Sequence, residues 1–113
     1  MEFIDLKKQY KLYKDEIDKK IWDNINNATF INGKDVAELE TTLASYVGAK
    51  YAVACSTGTD ALLIPLMAYG IKAGDEVITT PFTFAATIEV ICMLGGKPVF
   101  VDIDERTYNM DPT

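Results

Sequence analysis

Apolar side chains recur at steps of three and four through Leu6, Tyr10, Tyr13, Ile17, Ile21 and Ile25, the spacing that lines one face of an α-helix. This predicts a helix over 6–27 with Asp5 as its N-cap. The helix is long for so small a chain and is expected to pack against something outside it. A loop, Thr29–Gly33, follows. Asn32 with Asp35 three residues on predicts the start of a second helix. Val36, Leu39, Leu43, Tyr46 and Val47 are its expected buried stripe, and Gly48 its end.

The texture then changes to alternating strand, loop and helix. Tyr51–Cys55 is a short buried-strand candidate, Ser56–Thr59 a loop, and Asp60–Tyr69 a helix closed by Gly70. Glu76–Thr80 is a second strand, stopped by Pro81. Phe84–Leu94 predicts a helix, Gly95-Gly96 a turn, and Pro98–Ile103 a third strand, with Asp104-Glu105-Arg106 turning away from it. Three short apolar strands joined by helical crossovers predict an α/β fold, with a parallel-rich sheet and flanking helices. Ligands in such sheets sit beyond the carboxyl ends of the strands. That rule selects Ser56–Thr59, Pro81–Phe84 and Asp102–Thr107.

Composition narrows the chemistry. At 113 residues and 49% apolar, the chain has room for one core. Its longest apolar run is far short of the roughly 20 residues of a bilayer span. The acidic start, Met1-Glu2-Phe3-Ile4-Asp5, is not a signal peptide, so a cytoplasmic location and no membrane partner are expected. A net charge of -6 disfavours nucleic acid. Lys7, Lys8, Lys11, Lys14, Lys19 and Lys20 alternate with acids, as on a solvated helix face. The lack of histidine removes Ser-His-Asp and Cys-His chemistry and most zinc sites, and no metal site is expected. Cys55 and Cys92, in apolar segments and without CxxC spacing, are expected to be buried free thiols.

Three segments can carry chemistry. Ser56-Thr57-Gly58-Thr59 opens a helix, whose first amides lack internal partners and whose dipole favours anions. Gly58 lets an anion approach the backbone and Thr59 adds a hydroxyl, so the segment fits a phosphate cup; simple N-capping by Ser or Thr fits it too. It matches neither a Walker loop nor GxGxxG. In Thr80-Pro81-Phe82-Thr83-Phe84, the two aromatics suit either a core or the face of a flat cofactor ring. Asp102 and Asp104 suit acid–base or metal roles, but without a third acidic neighbour turn formation is the favoured reading. Glu89, in an apolar helix, is expected on its exposed side or paired across an interface.

In order and spacing the segments resemble the DegT/DnrJ/StrS family of pyridoxal-phosphate (PLP) sugar aminotransferases. The resemblance runs through Phe3-Ile4-Asp5-Leu6, Phe30-Ile31-Asn32-Gly33 and Tyr51–Leu62. It continues through Gly74–Thr87, Pro98–Asp104 and Thr107–Asp111. It implies part of a fold-type-I PLP-dependent transferase large domain, truncated here. Residues 1–33 would form the N-terminal helix and substrate-side loop, and 34–113 a partial PLP-binding domain. It further implies that Gly58 and Thr59, with Thr57, hold the PLP phosphate, that Phe84 stacks on the pyridine ring, and that Ile31 lies near the substrate. The implied activity moves an amino group, commonly from glutamate, to a keto sugar carried on a nucleotide, in a homodimer.

No lysine present lies in a matching motif. The Schiff-base lysine and the pyridine-pairing aspartate are therefore expected beyond residue 113, with Lys72 and Lys97 as surface residues. The chain reads as a truncated gene product, a proteolytic piece or a deliberately shortened chain. It is expected to be poorly stable, to associate with itself or a partner, and to lack turnover. Two alternatives stand beside this reading: a PLP-dependent sugar dehydratase of the same family, and a non-catalytic binding or assembly module.

Overall fold

The computed structural model describes residues 3–112, which fall into two compact units divided between Ala54 and Cys55. The first unit holds α1 (Leu6–Asn26) and α2 (Lys34–Val47). Asp5 caps α1 as expected, its carboxylate accepting from Lys8 N at 2.9 Å. The second helix starts differently from the expectation. Asn32 adopts φ +48° and so cannot cap; Gly33 is the N-cap, with extended backbone and no side-chain bond. Gly48 ends α2 in the left-handed conformation at φ +69°, with Ala49 N donating to Ala44 O.

The stripe expected to be buried on α2 is largely open. Leu39, Leu43, Tyr46 and Val47 are exposed and Ala44 is the buried residue of this helix, while α1 has none. The described residues of this unit supply no second layer to cover these faces. What joins the two helices is polar: Lys20 Nζ and Asn24 Nδ2 reach the two oxygens of Asp35 at 2.6 and 2.7 Å. Beneath this clasp lies an open groove of about 660 Å³, lined by Ile21, Ile25, Phe30 and Leu39 among others. Tyr51–Cys55 is not a strand. No neighbouring strand takes up its ladder bonds among the described residues, and Ala54 N donates instead to Glu40 Oε1 at 2.8 Å.

The second unit runs α3 (Gly58–Ala68), β1 (Glu76–Thr79), α4 (Ala86–Met93) and β2 (Lys97–Phe100). The strands pair in parallel, Glu76 opposite Lys97 through Thr79 opposite Phe100. Lys97 N to Asp75 O and Val101 N to Thr79 O extend the ladder at both ends. The crossover helix α4 packs on both strands, and α3 packs on α4. Val90 and Ile91 are sealed in this junction at 1% and 2% exposure, beside Ala86 and Thr79. The parallel α/β arrangement with helices on the sheet is therefore present, with two strands in place of the expected three.

Both cysteines are exposed, against the expectation of burial. On α4, Cys92 lies about 200° around the axis from Val90, so a face that buries Val90 turns Cys92 outward. Cys55 sits beside the uncovered 51–54 stretch, its Sγ 3.4 Å from Thr57 O. No helix among the described residues is long and apolar enough to cross a membrane.

Candidate functional site

The α3 helix begins two residues earlier than expected, and the shift matters. Thr57 is its N-cap, and Gly58 and Thr59 occupy the first two helical positions. Amides at those positions have no carbonyl one turn back within the helix, and the helix dipole makes this end positive. Thr57 Oγ1 accepts from Asp60 N at 3.1 Å, so the capping reading is realised. The same hydroxyl donates to Asp60 Oδ2 at 3.0 Å, and Ser56 Oγ donates to that oxygen as well. These bonds hold the Asp60 carboxyl below the usual carboxylate range, with Ser56 as the largest cause.

Capping does not account for Gly58. Its φ lies outside the left-handed region, and a Cβ built there meets nothing within 4 Å. Neither backbone strain nor crowding by this chain requires glycine at that position. The open space lies beside exposed helix-terminal amides, which suits close approach of an anion. The donor set fits the phosphate of PLP: two amides and the Thr59 hydroxyl, with Thr59 half-buried.

Phe84 lies on the loop between β1 and α4, and α4 starts at Ala86 rather than at Phe84. Its side chain is 81% exposed, so Phe84 fills no core in this chain and its ring is free to lie against a planar group. Phe82 is placed differently: its ring stacks on Tyr108, at 5.6 Å between centroids. Tyr108 had no signal in the apolar pattern, because it stands in a polar turn. That turn is organised by Asp104, whose Oδ1 accepts from Arg106 N, Thr107 N and Thr107 Oγ1 at 3.1, 2.8 and 2.9 Å. The turn-forming reading of Asp104 is the one the geometry carries.

In the first unit, Ile31 is 85% exposed on its loop. Asn24, which no motif singled out, orders the base of that loop. Its Oδ1 accepts from Thr29 Oγ1 at 2.7 Å while its Nδ2 holds Asp35. Lys72 and Lys97 are exposed and paired with Asp75 and Glu76, and Glu89 is exposed. The described residues contain no group of three His, Cys, Asp or Glu placed to hold a metal.

The fold and the two loops together define a class: a parallel α/β unit with an open helix start at Gly58 and an exposed aromatic, Phe84, after a strand. Comparison with known proteins makes the class specific. The model of the DegT/DnrJ/EryC1/StrS aminotransferase family matches residues 11–113, and the chain belongs to that family. It is 54% identical over 112 residues to UDP-2-acetamido-2-deoxy-3-oxo-D-glucuronate aminotransferase of Pseudomonas aeruginosa, covering 99% of this chain and 31% of that protein. The crystal structure of a DegT DnrJ EryC1 StrS aminotransferase from Brucella abortus superposes with TM-score 0.94 at 43% identity, over 98% of this chain and 30% of that one. NtdA of Bacillus subtilis, solved with bound cofactor PMP, superposes with TM-score 0.68 at 35% identity, over 83% of this chain and 23% of that one. The fold is thus part of a fold-type-I aminotransferase, and the aminotransferases of this family bind PLP. The chain spans about a third of the length of the curated relatives it matches.

Proposed function

We propose that this chain is the cofactor-seating portion of a PLP-dependent aminotransferase that passes an amino group, from glutamate, to a nucleotide-linked keto sugar. When bound, PLP supplies the electron sink through which an amino group leaves one carbon and joins another. The residues present here have separate tasks. The amides of Gly58 and Thr59, with the Thr59 hydroxyl, hold the phosphate. The Phe84 ring covers one face of the pyridine and keeps water from it. Thr57 supports the seat as its cap. Ile31 gives the sugar an apolar wall. Similarity to the Pseudomonas aminotransferase favours amino transfer over loss of a hydroxyl.

The lysine that holds the cofactor covalently, the acid that pairs with the pyridine nitrogen and the second subunit of a dimer belong, in this reading, to the two thirds of the relatives' length that this chain does not span. Residues 1–113 alone are therefore expected to show no transaminase turnover, and measured turnover by them would overturn that part.

The observation that carries the cofactor seat is the open space at Gly58. Gly58→Ala meets no atom of the chain and should leave its helix content unchanged. In the proposed seat the added methyl displaces the phosphate and weakens pyridoxamine 5′-phosphate binding about tenfold, the loss of one charge-assisted hydrogen bond. Far-UV circular dichroism checks the first and isothermal titration at millimolar ligand the second. Equal affinity in wild type and Gly58→Ala would remove the seat.

A further inference from the structure

We propose that Asp60 is a positioning residue of the phosphate seat: its carboxylate ties down the hydroxyls of Ser56 and Thr57 and so fixes the turn that presents the Gly58 and Thr59 amides. The inference rests on the seat described above and extends it to a residue outside the ligand's reach.

The geometry extends an ordinary helix start. An acid at the third helical position ordinarily reaches back to the backbone amide of the N-cap. Asp60 keeps that backbone bond to Thr57 and adds side chains to it, taking the Ser56 and Thr57 hydroxyls on one oxygen, Oδ2, while its own amide donates to Thr57 Oγ1. The turn is closed by bonds that all converge on one residue.

Two consequences follow. The hydroxyl protons of Ser56 and Thr57 are directed at a carboxylate, so neither is offered to a phosphate. The donors left are the Gly58 and Thr59 amides and the Thr59 hydroxyl. Secondly, the carboxylate places a negative charge within one helical turn of an anion seat. Water screens that repulsion, because Ser56 and Thr57 are exposed and Asp60 is only half-buried. The ordering of a glycine-containing turn is not screened, and without these bonds the bound ligand would have to order it. Positioning should therefore outweigh repulsion.

The two effects predict opposite signs. Wild type, Asp60→Ala, Asp60→Asn, Ser56→Ala and Gly58→Ala chains are titrated with pyridoxamine 5′-phosphate, followed by the 31P resonance of the ligand. Far-UV circular dichroism checks that α3 persists. Asp60→Ala is expected to bind roughly five- to tenfold more weakly although a like charge is gone. Asp60→Asn, which keeps an acceptor oxygen and drops the charge, is expected to bind at least as tightly as wild type. Ser56→Ala, which leaves Asp60 and the cap in place, is expected to weaken binding about threefold. Asp60→Ala binding as tightly as wild type or tighter overturns the role of Asp60 while leaving the seat intact. Should Asp60→Ala lose its helix signal, wild-type affinity in Ser56→Ala overturns it in the same way. No binding by wild type, or no loss in Gly58→Ala, overturns the seat and the Asp60 role together.

Discussion

The rings of Phe82 and Tyr108 stack with centroids 5.6 Å apart and planes 27° from parallel, joining the loops that leave the carboxyl ends of β1 and β2. Phe82 is held from its other side, its amide donating to Thr80 Oγ1 at 3.1 Å. Tyr108 sits at φ +59°, a conformation disfavoured for a side chain of its size. The stack therefore offsets a local backbone cost. Tyr108→Ala keeps the cost and loses the stack, and should weaken the 104–109 turn by about 1 kcal/mol, a roughly fivefold rise in amide exchange. Tyr108→Gly relieves the backbone and should lie between wild type and Tyr108→Ala. Hydrogen exchange at Tyr108 N, which donates to Asp104 O at 2.8 Å, reads both. Unchanged exchange in Tyr108→Ala would show that Asp104 alone holds the turn.

Gly96 gives a prediction opposite to Gly58. A Cβ at Gly96 would lie 3.1 Å from Ile71 Cγ2, 3.2 Å from Ile91 Cγ2 and 3.3 Å from Ile91 O. Ile91 is one of the two most buried side chains, so its methyl cannot swing aside without opening the junction of α4 with the strands. Gly96→Ala should destabilise the second unit by about 1–3 kcal/mol, the usual cost of overpacking. Urea denaturation followed by circular dichroism tests this. A midpoint within error of wild type would mean that the turn moves freely.

Periodicity in the sequence located the helices and the crossover, because each has a local cause: Asp5 caps α1, Gly48 stops α2, and Val90 and Ile91 fall on one face of α4. What it could not supply is the identity of the covering layer. The Leu39–Leu43 stripe and the Tyr51–Cys55 run look buried in sequence and stand open here, since burial depends on what lies opposite. That Gly58 and Thr59 stand at the start of a helix was legible within two residues. Asp60, Asn24 and Tyr108 were not: Asp60 and Asn24 act through polar contacts three to eleven residues away, and Tyr108 through a ring stack with the distant Phe82, and such contacts leave no hydrophobic period.

The clasp between α1 and α2 should make the first unit acid-sensitive. Asp35 is held below the usual carboxylate range, first by the Lys20 ammonium and then by Asn24. A carboxyl depressed on folding stabilises the fold above its unfolded value and loses that contribution as pH falls through the folded one. The window therefore opens at about pH 4 and extends downward. Lys20, raised chiefly by Asp35, contributes below its ordinary value and loses its share only as the solution becomes strongly alkaline. Asp35→Asn should flatten the acid limb, and high salt should reduce it in wild type, since the pair is partly open to water. Fluorescence of Trp22, on α1, measured between pH 5 and 2 reads the limb. An identical acid midpoint in Asp35→Asn would assign it to other carboxylates.

The apolar surface left open decides how the isolated chain should behave. Its solvent-accessible area is 9676 Å² for 12.5 kDa. Two separately folded units of half that mass would together expose about 7,400 Å², so about 2,200 Å² is in excess, the scale of an obligate interface. The excess includes Ile21, Ile25, Leu39, Leu43 and Val53, and Ile78 on β1. So many large apolar side chains are seldom left in water by a stable monomer, and free strand edges add unpaired backbone groups to them. Residues 1–113 are therefore expected to bind a hydrophobic dye strongly and to elute from a sizing column at a mass that rises with concentration. Leu39→Glu with Leu43→Glu should lower both signals, because charges on that stripe oppose its burial against a second surface. A dye-silent, concentration-independent monomer would overturn this expectation.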